Sequence, residues 1–491
     1  MDSEPRRLVV VSNRLPVALR ESGKGEWEVK VGGGGLVTAL APVLRNRGGM
    51  WIGWSGASDT GADVDGLLAE YSVDAGYDLH TVSLTKEEVD GYYFGFSNEI
   101  IWPLFHDLQT RCRFDPEYWR MYLDVNFKFA ETVAQLTTPE DYVWIHDYHL
   151  MHQAFFLKSM GVKRRTGFFL HIPFPTPDIF IKLPWRWKVI KALTEFDLVG
   201  FHTLQDRRNF AECLRRLMPE ARISGRGAVV TVDMGNRKFR LGAFPISIDF
   251  NQFNNLAKQP EVASEAFRLK EALRHRKIIL GVDRLDYTKG IPERIRSIRT
   301  LLRRYPDIKG KFNFVQVAVP SREEVGEYKE LRTEIEWLVG RVNGEFSFPG
   351  WVPVHYHYRN LPREELVAFY AAADIGLVTP LRDGMNLVAK EYCAASTDDD
   401  GVLILSEFAG AAAQLQRDAY LVNPYDTEGV ARALHRALHW EKTQRREHMS
   451  RLRDQVRRNN IYRWVDSFLK AGIARKLGDF PEVETLRLER G

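Results

Sequence analysis

Short apolar runs alternate with amphipathic segments along most of the chain. Each run holds about four to eight residues, many of them β-branched, which is typical of strands buried on both faces of a parallel sheet. The segments between the runs have helical periodicity, so the pattern predicts sheets with helices on both faces. The predicted strands include 8–11, 142–145, 166–170 and 197–202 and, after a break near 246–258, 277–282, 312–319, 375–378 and 402–405, with none between 319 and 375.

This break sets the predicted domain boundary. A chain of 491 residues is too long for one ordinary domain. We expect a first domain over 1–248, which ends in a strand at 243–249. A second domain is expected over 249–475, with a last helix that packs back on the first domain, and the tail 476–491 has no pattern.

Composition narrows the class of protein. The chain is 44% hydrophobic and 27% charged, which excludes a mostly disordered protein. Its net charge of only +4 argues against a nucleic-acid binder. The three scattered cysteines form no CxxC motif and predict a reducing environment. With no run long enough for a membrane span, we expect a cytoplasmic protein without membrane contact.

Residues 378–392, VTPLRDGMNLVAKEY, combine a strand end, a tight polar loop and the start of a helix. This geometry points free backbone N–H groups and the positive end of the helix at a ligand. Gly384 allows close backbone approach, and Asp383 or Asn386 is a candidate helix cap. An ordinary strand-to-helix turn with a cap is the alternative interpretation.

A second loop of this kind follows the strand at 277–282. It carries Arg284 and Lys289 and leads into a helix at Ile291-Pro292, where proline is favourable. Two cations beside a helix N-terminus are typical of a diphosphate site. The alternative is a solvated loop.

Two further segments in the first half carry candidate chemistry. The glycines at 32–35 precede a helix and are consistent with a phosphate or sugar cradle or with a linker. The chain has no GxGxxG motif after a predicted strand, which argues against an NAD enzyme. The segment 91–106 is rich in aromatic residues, most of them expected in the core, although Tyr93, Asn98 and Trp102 alternate with polar positions as in sugar-binding surfaces.

Histidines follow two of the predicted strands. His171 begins a loop with three prolines, which makes it either a rigidly held ligand group or a packed histidine. His146, Asp147 and His149 have the spacing of metal ligands, but neighbouring side chains at a strand end point to opposite faces. We therefore expect no metal site there.

Several of these segments together resemble one known family. The motifs VVVSNRLP, GYYFGFSN, IIWPLFH, WIHDYHL, FFLHIPFPTP, RLDYTKG, VTPLRDGMNLVAKEY, LSEFAGAA and NPYD occur in order over residues 8–426. They are similar to those of the α,α-trehalose-6-phosphate synthases, the retaining glycosyltransferases of family 20. The resemblance implies the GT-B fold, in which two Rossmann-like doubly wound parallel-sheet domains face each other across a cleft.

The resemblance also implies an activity. Such an enzyme transfers glucose from a nucleotide-glucose, UDP-glucose or a related donor, to glucose 6-phosphate. It forms α,α-trehalose 6-phosphate and a nucleoside diphosphate, requires no cofactor, and has small-molecule partners only. No ligand cluster demands a metal, although a dependence on divalent ions and a homo-oligomer are both left open. A catalytically silent, two-domain sugar-phosphate-binding regulatory protein is the alternative, against which the intact basic pair and RDGMN loop argue.

Roles transfer from the family motif by motif. The implied catalytic residues are His171, Arg284, Lys289 and Asp383. The implied donor-binding residues are Gly34, Gly35, His171, Arg284, Lys289, Leu361, Arg363, Asp383, Gly384, Met385, Asn386, Leu387, Val388 and Glu391, with Glu391 on the ribose. The implied acceptor-binding residues are Arg14, Tyr93, Trp102, Asp147 and Arg322, with the two arginines on the 6-phosphate.

Overall fold

The chain folds into two compact units. A computed structural model describes residues 7–22, 26–32, 35–58, 64–322, 325–473 and 486. The first unit comprises Met1–Pro245 and Tyr462–Val483, and the second comprises Ile246–Ile461 and Glu484–Gly491. Apart from Leu486, the predicted tail 476–491 lies outside the described residues.

The first unit is built on a nine-stranded sheet. Its order is β5-β4-β1-β6-β7-β8-β11-β10-β9, parallel from β5 to β11 and antiparallel in the pairs β11–β10 and β10–β9. A separate hairpin joins β2 and β3. The strands are β1 Leu8–Arg14, β2 Val17–Ser22, β3 Glu26–Val31, β4 Gly49–Trp54, β5 Asp78–Thr81, β6 Tyr142–His146, β7 Arg165–Phe169, β8 Leu198–Phe201, β9 Arg222–Ser224, β10 Val229–Asp233 and β11 Lys238–Ala243.

The second unit is built on a six-stranded, fully parallel sheet. Its order is β14-β13-β12-β15-β16-β17. The strands are β12 Lys277–Arg284, β13 Phe312–Val319, β14 Val354–Tyr358, β15 Ile375–Val378, β16 Val402–Ser406 and β17 Tyr420–Val422. Counted within the unit, this is the order 3-2-1-4-5-6 of a dinucleotide-binding fold, and the first six parallel strands of the other unit repeat it.

Helices connect the strands of both sheets. In the first unit they are α1 Gly35–Arg47, α2 Val64–Ala75, α3 Lys86–Glu88, α4 Trp102–Phe105, α5 Pro116–Leu136, α6 Gln153–Ser159, α7 Pro177–Phe180, α8 Arg186–Leu193 and α9 Leu204–Leu217, with a π-helix over Val89–Ile101. From the second half of the chain come α10 Phe250–Ala257, α11 Pro260–Ala272, α12 Ile291–Arg304, α13 Gly326–Phe346, α14 Arg363–Ala372, α15 Leu387–Ala395, α16 Ala412–Leu415, α17 Thr427–His439, α18 Lys442–Arg458 and α19 Ile461–Ile473. The predicted α/β class with two parallel sheets is confirmed. No helix among these described segments is both long and apolar enough to cross a membrane.

The last helix, α19, packs on the sheet of the first unit. The Phe468 ring stacks on Trp144 of β6, with ring centroids 4.2 Å apart. Gly200 on β8 makes room for it, because a Cβ there would lie 2.7 Å from the same ring. Aromatic stacking and apolar burial therefore fix α19 to the first unit.

Two strand assignments differ from the sequence pattern. The predicted strand at 243–249 is wrong, because β11 ends at Ala243 and residues 244–249 connect the units. β14, with the sequence VHYHY, was missed. It alternates polar and aromatic residues because it is an edge strand, and four of its five residues are half-buried.

Candidate functional site

The two loops singled out in the second half are neighbours in the fold. β12 and β15 lie side by side, and β12 continues to β13 on its other edge. This is the switch point of the sheet, where loops at the carboxyl ends diverge and leave a crevice for a ligand. The loop after β12 carries Arg284 and Lys289, and the loop after β15 carries residues 379–386.

A short ion pair joins these loops. Lys289 Nζ lies 2.6 Å from Asp383 Oδ2, and both side chains are more than four-fifths buried. Leu381 N donates to the carbonyl oxygen of Thr288, so the backbones are joined as well. Two predicted donor-binding residues, one on each loop, thus meet in one cluster.

A third loop, after β16, supports the Asp383 loop from behind. Asp383 N donates to the carbonyl oxygen of Phe408, and Gly410 N donates to the carbonyl oxygen of Asp383. A Cβ on Gly410 would lie 1.9 Å from the carbonyl oxygen of Gly384, so no other residue fits this contact. The sequence motif LSEFAGAA is therefore part of the loop's support.

Asn386 performs the capping function that was left open between it and Asp383. Its side-chain oxygen accepts a hydrogen bond from Ala389 N at 3.3 Å, while its Nδ2 donates to Asp383 Oδ2 at 3.2 Å. Its φ of 70° is strained for a non-glycine residue and marks a fixed conformation. Leu387 and Val388 form the first turn of α15, so their amides are at its positive end.

Glu391, also on α15, faces α14. Its Oε2 accepts from the Tyr370 hydroxyl at 2.9 Å. Burial raises the pKa of Glu391 above its usual value, although the Tyr370 hydrogen bond and the charge of Arg363 act in the opposite direction. Arg363 is the first residue of α14, and half-buried Leu361 precedes it by two residues, so both predicted donor-binding residues lie at the start of the helix that contacts Glu391.

A buried carboxylate, Asp286, organises the cations after β12. It accepts from Thr288 N at 2.9 Å and from the Thr288 hydroxyl at 2.8 Å, and Arg322 Nη1 lies 3.4 Å from it. Burial raises the pKa of Asp286, but the charges of Arg322, Lys289 and Arg284 bring it below its usual value. Arg322, predicted to bind the acceptor, thus lies in the second unit with the predicted donor cations.

Arg294 is a structural member of this cluster that the sequence did not reveal. Its guanidinium is completely buried and lies 2.5 Å from Asp283 Oδ2 at the end of β12. It also donates to Thr379 Oγ1 at 3.0 Å and to the carbonyl oxygen of Lys289 at 3.3 Å. One side chain therefore joins both loops to their strands. The IPERIRS sequence shows a basic residue but not that it faces inward.

Lys390, next to Glu391, is a second missed residue. It is buried, and its Nζ donates to the Ile246 carbonyl oxygen at 2.6 Å and to Gln414 Oε1 at 2.7 Å. Burial lowers the pKa of Lys390 to about 7. The contact holds α15 against the start of the second unit.

In the first unit, Arg14 ends β1 at the corresponding switch point. Its guanidinium carbon lies 4.0 Å from the centre of the Trp54 ring and 5.9 Å from that of Tyr93. Gly56 leaves room for it, because a Cβ there would lie 1.9 Å from Arg14 Nη1. Tyr93 in turn stacks on His149, with centroids 5.8 Å apart. Arg14 and Tyr93 are therefore brought together as predicted.

Two other predicted acceptor residues, Asp147 and Trp102, lie on other elements of the first unit. Asp147 directly follows β6 with a φ of 73°, and its Oδ1 accepts from His171 N at 3.2 Å. Trp102 is buried, with its ring 5.9 Å from that of Tyr148. Asn98 connects these groups, since its amide accepts from the Tyr148 hydroxyl and donates to the Tyr93 carbonyl oxygen.

Half-buried His171 contacts two buried histidines, His146 and His202. Its Nε2 is 3.1 Å from His146 Nδ1, and its carbonyl oxygen is 3.1 Å from His202 Nε2. Burial and the neighbouring histidines hold the pKa of His171 and that of His146 well below the usual range. The imidazole of His171 is therefore neutral and suited to hydrogen bonding rather than to charge neutralisation. His146 contacts His171. Among the described residues, the one group of three side chains with metal-ligand spacing does not include His146, Asp147 or His149.

The glycine segment is only partly described. Gly34 lies outside the described residues, and Gly35 is the first residue of α1. The implied donor-binding role of Gly34 and Gly35 stays a prediction.

Comparison with known proteins gives one consistent result. The model of glycosyltransferase family 20 matches residues 6–472. A trehalose-6-phosphate synthase of Mycobacterium tuberculosis (strain ATCC 25618 / H37Rv) is 44% identical over 469 residues, which covers 94% of both chains. One from Mycolicibacterium smegmatis is 45% identical over 468 residues, 94% of this chain and 92% of the relative.

Solved structures agree with these relatives. An E. coli structure described as trehalose-6-phosphate bound with UDP-2-fluoroglucose has a TM-score of 0.85 and 38% identity, covering 95% of this chain and 99% of that one. A UDP-forming α,α-trehalose-phosphate synthase from Burkholderia xenovorans, in complex with glucose 6-phosphate, has a TM-score of 0.85 and 36% identity with the same coverage.

Proposed function

The chain belongs to glycosyltransferase family 20, and from this premise we propose that it transfers glucose from a nucleotide-glucose to glucose 6-phosphate. The products are α,α-trehalose 6-phosphate and a nucleoside diphosphate, as the names of its relatives indicate. The observation that carries the proposal is the Lys289–Asp383 cluster at the switch point of the second sheet. A cation for the leaving group lies there beside a polar loop for the sugar.

In this proposal, Lys289 and Arg284 bind the donor diphosphate. A nucleotide-sugar has a good leaving group, so the main requirement is to stabilise negative charge as the diphosphate departs. The Lys289 side chain is more than four-fifths buried, where such a charge is less screened than in water. Donor binding replaces one oxygen of Asp383 by a phosphate oxygen on Lys289 and releases the carboxylate to accept from glucose hydroxyls.

The chemical step follows from retention of configuration. The C1–O bond to the diphosphate breaks, and the acceptor hydroxyl oxygen forms its bond to C1 on the same face. The hydroxyl proton passes to the departing phosphate oxygen, so atoms and charge balance without a covalent enzyme intermediate. A glycosidase would instead need a pair of carboxyl groups around the sugar.

The remaining predicted residues position the two substrates. Neutral His171 contacts the transferred glucose, and the backbone amides of 384–388 hold it at the start of α15. Glu391 binds the ribose, supported by Arg363 and Leu361. On the acceptor, Arg14 binds the 6-phosphate with Arg322, while Tyr93, Trp102 and Asp147 contact the sugar.

The proposal requires no cofactor or resident metal ion for this step. A location in the cytoplasm, predicted from the cysteines, belongs to the same proposal, as does a small-molecule substrate set without nucleic acid. The absence of a disulfide-type cysteine pattern supports the former. The small net charge of +4 supports the latter.

A donor panel tests the activity. Protein is mixed with UDP-, ADP- or GDP-glucose at fixed glucose 6-phosphate, and nucleoside diphosphate release is followed while NMR identifies the linkage. We expect release with at least one donor and an α,α-linked, non-reducing product. Hydrolysis of the donor without a disaccharide product, or a β linkage, would contradict the proposal. No release with any donor would favour the catalytically silent regulatory protein.

Acceptor recognition is tested separately with Arg14→Ala. Loss of a charge-assisted contact to the phosphate predicts a KM for glucose 6-phosphate raised about tenfold or more, with the donor KM nearly unchanged. The control is Arg120→Ala, which removes an exposed arginine paired with Glu117 on α5. If both variants changed this KM equally, the assignment of Arg14 to the acceptor site would be wrong.

A further inference from the structure

Two histidines and one carboxylate meet at the end of α12 in the second unit. His435 and His439 lie one turn apart on α17, and Asp307 lies on the short turn Pro306–Ile308 that follows α12. One ligand atom from each of the three lies within 4.8 Å of the others. We propose that they form a binding site for a divalent transition-metal ion of the Zn²⁺ class.

The donor set fits that class of ion. Two imidazoles and one carboxylate are a common three-residue set for Zn²⁺, with water in the fourth position. Bonds of about 2.0–2.1 Å in a tetrahedral site put the ligand atoms about 3.4 Å apart. Small side-chain rotations that move the ligand atoms by about 1 Å would therefore bring them to this spacing. Asp307 and His439 are exposed and His435 is half-buried, so these rotations and the entry of an ion are possible.

The surroundings already orient both rings. His439 Nδ1 lies 2.8 Å from the His435 carbonyl oxygen, a contact that leaves its Nε2 as the metal ligand. The His435 ring stacks on Tyr305, with centroids 3.9 Å apart and planes 16° apart. Nearby positive charge is partly neutralised, because Arg304 and Arg432 both pair with Glu428. A hydrogen bond that fixes one ring and a stack that fixes the other are what a metal ligand pair requires.

A bound ion would connect two elements that are far apart in the sequence. It would fasten α17 to the end of α12, the helix that starts behind the Lys289 loop. The site contains none of the residues in the proposed active site. The sequence HRALH shows the histidine pair, whereas Asp307 enters only through the fold, and no metal site was predicted from the sequence here.

Metal titration of the untagged full chain, without nucleotide, tests the site. Calorimetry with ZnCl₂ measures affinity and stoichiometry, and CoCl₂ reports coordination through its visible absorption. We expect one equivalent of Zn²⁺ to bind to this site and to raise the melting temperature. His435→Gln combined with His439→Gln should abolish this binding, and Asp307→Asn should weaken it about tenfold or more.

His275→Gln is the matched control, since His275 is an exposed histidine of the same unit outside the cluster. It should bind Zn²⁺ as the unaltered chain does. Circular dichroism checks that all variants are folded, which is expected because three of the four positions are exposed and His435 is only half-buried. Equal Zn²⁺ affinity in the unaltered chain and the double variant, or no binding by the unaltered chain, would overturn the proposal. These outcomes do not depend on glycosyl transfer.

Discussion

Lys289 and Asp383, 94 residues apart in sequence, are joined by a 2.6 Å contact between Nζ and Oδ2. A similar pair connects the same two strands at their opposite end, where Lys277 Nζ lies 2.7 Å from Asp374 Oδ1. The first pair is more than four-fifths buried, and Lys277 is 42% exposed. Parallel sheets bind ligands at the carboxyl ends of their strands. Lys289, at that end, is therefore a candidate ligand group, whereas Lys277, at the amino end, is structural.

This comparison predicts opposite results for two matched variants. Lys289→Ala should lower kcat/KM about 100-fold or more, because it removes a positive charge where the leaving group develops its negative charge. Lys277→Ala should leave kcat/KM within about twofold, since this half-buried pair lies at the opposite end of the strands from the candidate site. Steady-state kinetics with the best donor measures both. If Lys289→Ala retained near-normal kcat, its assignment to the diphosphate would be wrong.

The support of the Asp383 loop is tested at Gly410. Gly410→Ala puts a methyl group 1.9 Å from the Gly384 carbonyl oxygen, so the loop must move. A displacement of about 1 Å in a positioned group is enough to lower turnover about 100-fold. Gly344→Ala, on α13 with nothing within 4 Å of the new Cβ, is the control and should keep full activity. Donor affinity and kcat are measured for both, and normal kcat in Gly410→Ala would contradict the role of this contact.

Arg294 should control stability more than chemistry. Arg294→Ala leaves the Asp283 carboxylate buried without its partner, which costs about 3–5 kcal/mol. Denaturant unfolding measures the loss as a lower transition midpoint. Arg296→Ala on the same helix removes an arginine that is 42% exposed, and its cost should be about 1 kcal/mol or less. If both variants lowered the transition midpoint equally, the buried pair would contribute no more to stability than the exposed one.

The parts of the site that could be predicted from sequence are local. Arg284 and Lys289 follow an apolar run and precede a helix, so a few consecutive residues contain the signal for a loop at a strand end. The pairing of Lys289 with Asp383 depends on the lateral order of the strands, which those residues do not encode. The two loops become one site only because β12 and β15 are neighbours.

Inward-facing charges were the least predictable feature. Arg294 and Lys390 have ordinary basic side chains in amphipathic helices, where solvent exposure is the usual outcome. Their burial depends on specific acceptors on other elements of the fold, Asp283 and Thr379 for one and Ile246 and Gln414 for the other. Each acceptor set exists only once the tertiary fold is formed.

Lys390 makes stability depend on pH in a defined direction. Burial lowers the pKa of Lys390 to about 7 in the folded chain, against about 10.4 when unfolded. Between these values the unfolded chain binds more protons, so the stability contributed at this position rises with pH. Below pH 7 both states carry the proton and the contribution is constant.

Lys390→Met removes this titration while keeping a long side chain. The free energy of unfolding of the unaltered chain minus that of Lys390→Met should therefore rise by about 1 kcal/mol per pH unit from pH 7 to 9. It should stay flat from pH 5 to 6, which serves as the internal control. Denaturant unfolding at each pH measures both. A difference independent of pH would mean that Lys390 is charged in the folded state throughout.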